Sequence, residues 1–105
     1  MAVIIKTDAD FEATLADNAK VVVKYYADWC GQCRLFAPKF RRMSDDDRFS
    51  DVIFVDINAE ENPNARKLAG VSNLPFFATF KDGKLVEGDF TAKKEGVEKM
   101  IENIL

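Results

Sequence analysis

Two runs of β-branched and aromatic residues, 20–27 and 52–57, constrain the fold of this 105-residue chain more than any other feature. Neither run alternates apolar with polar. Each therefore reads as a strand covered on both faces, and such strands belong to parallel sheets flanked by helices. Around them the chain punctuates into short elements. Residues 3–6 read as a strand, and Thr7 caps a helix over 8–17, with Asp10 as the acidic half of a capping box. A helix runs from about Cys30 into the mid-forties, with Pro38 inside it to kink the axis. Asn62 and Pro63 open the next helix and Gly70 closes it. Residues 76–81 and 84–90 flank Asp82-Gly83, a strong two-residue hairpin signal. Thr91 or Ala92 opens a last helix with Val97, Met100, Ile101, Ile104 and Leu105 on one face. The predicted order is β-α-β-α-β-α-β-β-α. It describes an α/β chain with a mixed five-stranded central sheet and four helices on both its faces.

An apolar content of 48%, with nine phenylalanines, fills one core, so residues 1–105 read as a single domain that needs no staple to fold. With a formal charge of −3 and no basic stripe, nothing points to nucleic acid. No apolar run approaches the ~20 residues that span a bilayer. The first six residues lack the features of a secretory signal, which favours a cytoplasmic setting. There is no histidine, hence no Cys–His acyl-transfer site. Two cysteines alone do not complete a four-ligand zinc site, and no glycine-rich loop cradles a phosphate, so no cofactor is expected. Asp45-Asp46-Asp47 reads as a solvated loop rather than a cation site, and residues 58–61 as a polar turn.

The two cysteines stand in Trp29-Cys30-Gly31-Gln32-Cys33-Arg34. At this spacing the first turn of a helix carries both thiols. The first sulfur lies at the exposed, electropositive end, and the second one turn in, within disulfide reach. Unpaired backbone N–H groups at the helix start favour thiolate, the nucleophile in disulfide exchange. The pair reads as a redox motif. A merely stabilising disulfide is the competing reading, but so small a loop removes little unfolded-chain entropy.

Order, length and spacing together resemble the thioredoxin family across essentially the whole chain. Trp29-Cys30-Gly31-Gln32-Cys33 is similar to the family's Trp-Cys-Gly-Pro-Cys site. Pro38 matches its helix-kinking proline, Leu74-Pro75 its cis-proline dipeptide, and Lys81-Asp82-Gly83 its hairpin turn. The resemblance implies a protein-disulfide reductase in which Cys30 attacks a target disulfide and Cys33 resolves the mixed disulfide. It implies that Trp29 forms an apolar wall beside the thiols rather than a core residue. Pro75 takes the cis form, against the ~5% base rate for such bonds, and presents the Leu74 backbone to an extended substrate. Phe90, Thr91 and Ala92 complete the groove. Disulfide-containing proteins are then the targets, a thioredoxin reductase or similar protein the electron donor, and the chain a monomer serving electron transport and cell redox homeostasis.

The departures from the family pattern are specific. Gln32 replaces a proline between the cysteines, leaving that turn freer without adding charge, which predicts a somewhat less reducing protein. Lys24 stands where the family buries an aspartate, and Asp56 where its partner lysine lies. Opposite charges in two apolar runs predict a partly buried pair behind Cys33; the competing reading has Lys24 snorkelling to a sheet edge and Asp56 at the surface. Asp56 then acts as base towards the resolving thiol, and the Lys24 ammonium lowers its pKa. Gly31 and Gln32 modulate the same site. Phe76, where the family has threonine, either fills core or narrows the groove. Thr91 replaces a glycine and alters partner preference, including recognition by a flavin-dependent reductase. A disulfide oxidant or isomerase, a partner-binding module with incidental redox activity, and a metal or iron–sulfur site shared by two chains are the alternatives.

Overall fold

The computed structural model describes residues 2–105. Its elements are β1 (Val3–Ile5), α1 (Asp8–Asp17), β2 (Lys20–Tyr26), α2 (Gly31–Ser44), a 3-10 turn (Asp47–Phe49), β3 (Ile53–Asn58), α3 (Pro63–Ala69), β4 (Phe76–Lys81), β5 (Lys84–Phe90) and α4 (Lys94–Glu102). The strands form one sheet in the order β1-β3-β2-β4-β5. β3 runs parallel to both β1 and β2, while β4 and β5 are antiparallel to their neighbours. This is the mixed five-stranded sheet expected from the strand pattern.

The period of two along each strand sorts the core into two layers. Val21, Val23 and Tyr25 of β2 join Val55, Ile57, Ala78 and Phe80 against Phe11 and Leu15 of α1 and Ala65 and Ala69 of α3. Val22, Phe54 and Phe77 face the other way, against Phe36, Phe40 and Met43 of α2 and Val97, Met100 and Ile101 of α4. The same alternation puts Lys24 and Asp56 on the α2 face, because they stand two residues beyond Val22 and Phe54. Phe76 fills the α1–α3 layer, 5% exposed and edge-on to Tyr25. Gly88 on β5 makes the room: a Cβ there would lie 3.0 Å from the Phe76 ring.

Local chemistry explains the element ends. The Thr7 N–H donates to the Asp10 carboxylate at 2.8 Å, as the capping box requires. Asp82 and Gly83 both take positive φ, 53° and 81°, the geometry of a tight hairpin turn. Gly70 ends α3 in the left-handed region at φ 67°. α3 starts at Pro63 as its sequence indicated, but the capping of that start by a distant side chain was not legible. Asp8, at the head of α1, accepts from the N–H groups of Asn64 and Ala65 at 3.0 and 2.8 Å, and Asn62 Oδ1 accepts from the Asp8 N–H at 2.8 Å.

Three expectations need correction. α4 begins at Lys94, not at Thr91 or Ala92, because Thr91 Oγ1 accepts the Lys93 N–H at 3.1 Å and holds an extended turn ahead of the helix. Leu105 lies beyond α4 and is 47% exposed, whereas Ile104 is fully buried. The segment after α2 is not only solvated loop: Arg48 pairs with Asp46 and Glu98, each at 2.9 Å, and its guanidinium lies 4.7 Å from the Phe49 ring centre. These hydrogen bonds hold the Asp46 carboxyl below its ordinary pKa.

Thr79, in the middle of β4, is fully buried and its hydroxyl has no hydrogen-bond partner among the described residues. An unpaired buried hydroxyl costs about 1–3 kcal/mol. Thr79→Val is therefore expected to raise the urea midpoint by an amount equivalent to about 1 kcal/mol, with the denaturant slope unchanged. A lower midpoint would show that the hydroxyl is satisfied in solution.

Candidate active site

β2 ends at Tyr26, and the chain turns over Ala27, Asp28 and Trp29 into α2. Cys30 is not in the first helical turn, as its spacing suggested, but is the N-cap of α2. Its sulfur accepts the Cys33 N–H at 3.2 Å, taking the position usually held by a serine or aspartate oxygen. Cys30 and Cys33 form a disulfide with a Cα–Cα distance of 5.3 Å.

The expectation of an exposed first sulfur needs correction. In this oxidised form Cys30 is 4% and Cys33 2% exposed, both packed with Ala27, Tyr26 and Leu74. The covering residues come from the β2 end and the proline loop. What distinguishes the two sulfurs is therefore position: Cys30 caps the helix and Cys33 lies within it.

The Leu74-Pro75 peptide is cis. Leu74, Pro75, Phe90, Thr91 and Ala92 line one groove of about 440 Å³ together with Gln32 and Lys93. The structure thus brings five predicted groove residues to the loop between the cysteines, and adds Lys93. Gly31 is exposed, and a Cβ there would meet nothing within 4 Å, so its neighbours do not require glycine. Phe76 is not part of the groove lining.

Trp29 is 66% exposed, as expected of a surface wall, but it is not among the groove residues. Its indole N–H donates to Glu60 Oε2 at 2.8 Å. Glu60 was missed; the only sequence signal was its place in a polar turn after a buried strand. That turn is wired further back. The Glu60 N–H donates to Asn58 Oδ1 at 2.9 Å, and Asn62 Nδ2 donates to the Asn58 carbonyl at 2.9 Å.

Behind Cys33 lies a second cavity of about 210 Å³, lined by Lys24, Tyr26, Arg34, Ala37 and Asp56 as well as Cys33 itself. Lys24 and Asp56 are directly opposite in the β2–β3 register. Their charged groups approach to 3.5 Å, with side chains 4% and 21% exposed. The contact is an ion pair, for Asp56 Oδ1 is buried without a hydrogen-bond partner among the described residues. The ammonium also lies 5.5 Å from the Phe40 and 5.9 Å from the Tyr26 ring centre, within cation–π range. Burial pushes Lys24 below its ordinary pKa and Asp56 above its own; their mutual attraction opposes both shifts.

A dithiol–disulfide pair beside an apolar groove, with an ion pair in the cavity behind it, suits thiol–disulfide exchange. Comparison with known proteins agrees. The thioredoxin family model matches residues 2–104. The chain is 35% identical to a thioredoxin of Gallus gallus over 99 residues, 92% of each chain. It is 35% identical to thioredoxin H2 of Arabidopsis thaliana over 94 residues, 90% of this chain and 69% of that one. Among solved structures, oxidised mitochondrial thioredoxin 3 of Saccharomyces cerevisiae superposes with a TM-score of 0.87 at 29% identity, covering 96% of this chain and 94% of that one.

The ion pair yields a stability test. Asp56→Leu alone strands a buried ammonium and is expected to cost about 3–5 kcal/mol. Adding Lys24→Met removes that charge, and the double variant is expected to be neutral to about 4 kcal/mol more stable than the parent. Urea unfolding of four proteins at pH 7, the parent, each single variant and the double variant, measures both; strictly additive losses would show that the charges do not interact.

Proposed function

The chain belongs to the thioredoxin family and is a thiol–disulfide oxidoreductase acting on disulfide-containing proteins; on that premise we propose how its own residues divide the work. The observation that carries the reading is the place of Cys30 as the cap of α2. At that position the helix N–H groups stabilise a thiolate. The Cys30 thiolate attacks one sulfur of a target disulfide, forms a Cys30–target bond and expels the other target sulfur as thiolate. The Cys33 thiolate then attacks Cys30, closes the Cys30–Cys33 disulfide and expels the second target sulfur. Two electrons pass to the target, which takes up protons and leaves as a dithiol.

Cys33 needs to lose its proton for the second step, and the cavity it shares with Lys24 and Asp56 supports a role for both. The Lys24 ammonium favours the thiolate by its charge, and Asp56 receives the proton. In the groove, Leu74, Pro75, Phe90, Thr91 and Ala92 seat the target segment against the Gly31-Gln32 turn, with Trp29 as an outer wall. The return of electrons falls to a thioredoxin reductase or similar donor. Residues 1–105 act as one domain and as a monomer, in a reducing compartment such as the cytoplasm, where an unpaired dithiol persists.

Three measurements test this division. Cys30→Ser is expected to abolish disulfide reduction, whereas Cys33→Ser accumulates a mixed disulfide with the target, visible by mass spectrometry. The opposite assignment would exchange these outcomes. Lys24→Met is expected to raise the Cys33 thiol pKa and slow resolution; an unchanged pH profile of thiol alkylation would remove Lys24 from the mechanism. Equilibration with dithiol buffers should place the Cys30–Cys33 potential close to, and slightly above, the about −270 mV known for thioredoxin, and a value near −200 mV would indicate an oxidant or isomerase instead.

A further inference from the structure

The groove beside the disulfide carries one formal charge, and it is positive. Beyond its apolar walls it is lined by Gln32, Thr91 and Lys93 and by no acidic residue. Each of the three can donate a hydrogen bond: an amide NH₂, a hydroxyl and an ammonium. Thr91 Oγ1 already accepts the Lys93 N–H at 3.1 Å, so its own proton is left for another acceptor. The Thr91 N–H in turn donates to the Pro75 carbonyl at 3.3 Å, which ties the Lys93 backbone to the proline loop.

Lys93 has no ion-pair partner among the described residues. Asp89 and Glu95 are near it in sequence, yet neither lines the groove. The other acids of the site are engaged elsewhere: Asp28 and Asp56 line the cavity behind Cys33, and Glu60 holds the Trp29 indole. The chain as a whole carries −3, so its overall field does not gather anions. Any preference for an acid is local to this groove.

We propose that favoured targets carry an acidic side chain next to the half-cystine that Cys30 attacks, received by Lys93 with hydrogen bonds from Gln32 and Thr91. The proposal rests on the reading of this groove as the seat of the target. A solvent-exposed ion pair changes an equilibrium or a rate by roughly two- to fivefold, so the groove ranks targets rather than choosing one. The pairing is screened by salt.

The test uses three disulfide-linked peptides of one sequence with Glu, Gln or Lys beside the attacked cysteine. Second-order rate constants for their reduction by the fully reduced protein are read by thiol trapping, at low and high ionic strength. The expected order is Glu, then Gln, then Lys, with about two- to fivefold between the extremes in low salt and a smaller ratio in high salt. Lys93→Glu is expected to reverse the order. Lys94→Glu, the adjacent residue outside the groove, is expected to keep it. Equal rates for the three peptides, or an order that Lys93→Glu leaves intact, overturn the proposal alone. Failure to reduce any of them overturns the exchange chemistry as well.

Discussion

The pairing of β2 with β3 is the constraint on which the rest of the molecule depends. Val21, Val22, Val23 and Tyr25 are fully buried and Lys24 nearly so, and both helix layers pack against them. A slip of one residue would set Lys24 against an aliphatic side chain and reverse which residues face each layer. The Lys24–Asp56 rung opposes such a slip, since only one register joins the two charges. A buried ion pair is a weak source of net stability, and specifying an arrangement is its better-attested use. Correct register also delivers the functional loops. β2 ends at the turn into Cys30, β3 ends at the turn carrying Glu60, and the Ala59 N–H reaches the Tyr26 carbonyl at 2.8 Å between them.

The same rung links packing to chemistry. Alternation places both charges on the α2 face, and the cavity they leave opens onto Cys33. Compared with the pattern the family resemblance suggested, acid and base have exchanged strands while staying in register. The environment of the resolving sulfur keeps one cation and one anion, but a different strand now supplies each. The large Phe76 is accommodated by the absence of a side chain at Gly88.

The backbone was largely legible in the sequence because its signals are local. The unbroken apolar runs, Asp82-Gly83, Pro63 and Gly70 each act within a few residues, and the elements they predict are present. The cysteine pair was anticipated through spacing, the groove residues through the family resemblance, and the Lys24–Asp56 contact through that resemblance together with opposite charges in two apolar runs. What escaped depends on distant partners. Asp8 caps a helix more than fifty residues away, and a carboxylate does not announce which helix it will cap. Arg48 reaches α4 from a turn that reads as a run of aspartates. The burial of Cys30 comes partly from Leu74, which lies more than forty residues away in the sequence. The start of α4 was misplaced because the Thr91 hydroxyl competes with the helix for the backbone.

The hydrogen bonds around α3 also join up. The Asp8 N–H meets Asn62, Asn62 meets the Asn58 carbonyl, Asn58 accepts from Glu60, and Glu60 holds Trp29. The sulfurs lie outside this series, at the junction of β2 and α2. The indole stands at its far end, and the series begins at the head of α1. The catalytic unit is therefore larger than the hexapeptide that bears its chemistry. A transplant of Trp29 to Arg34 onto another scaffold would carry the reactive atoms but leave behind the carboxylate that moors the indole.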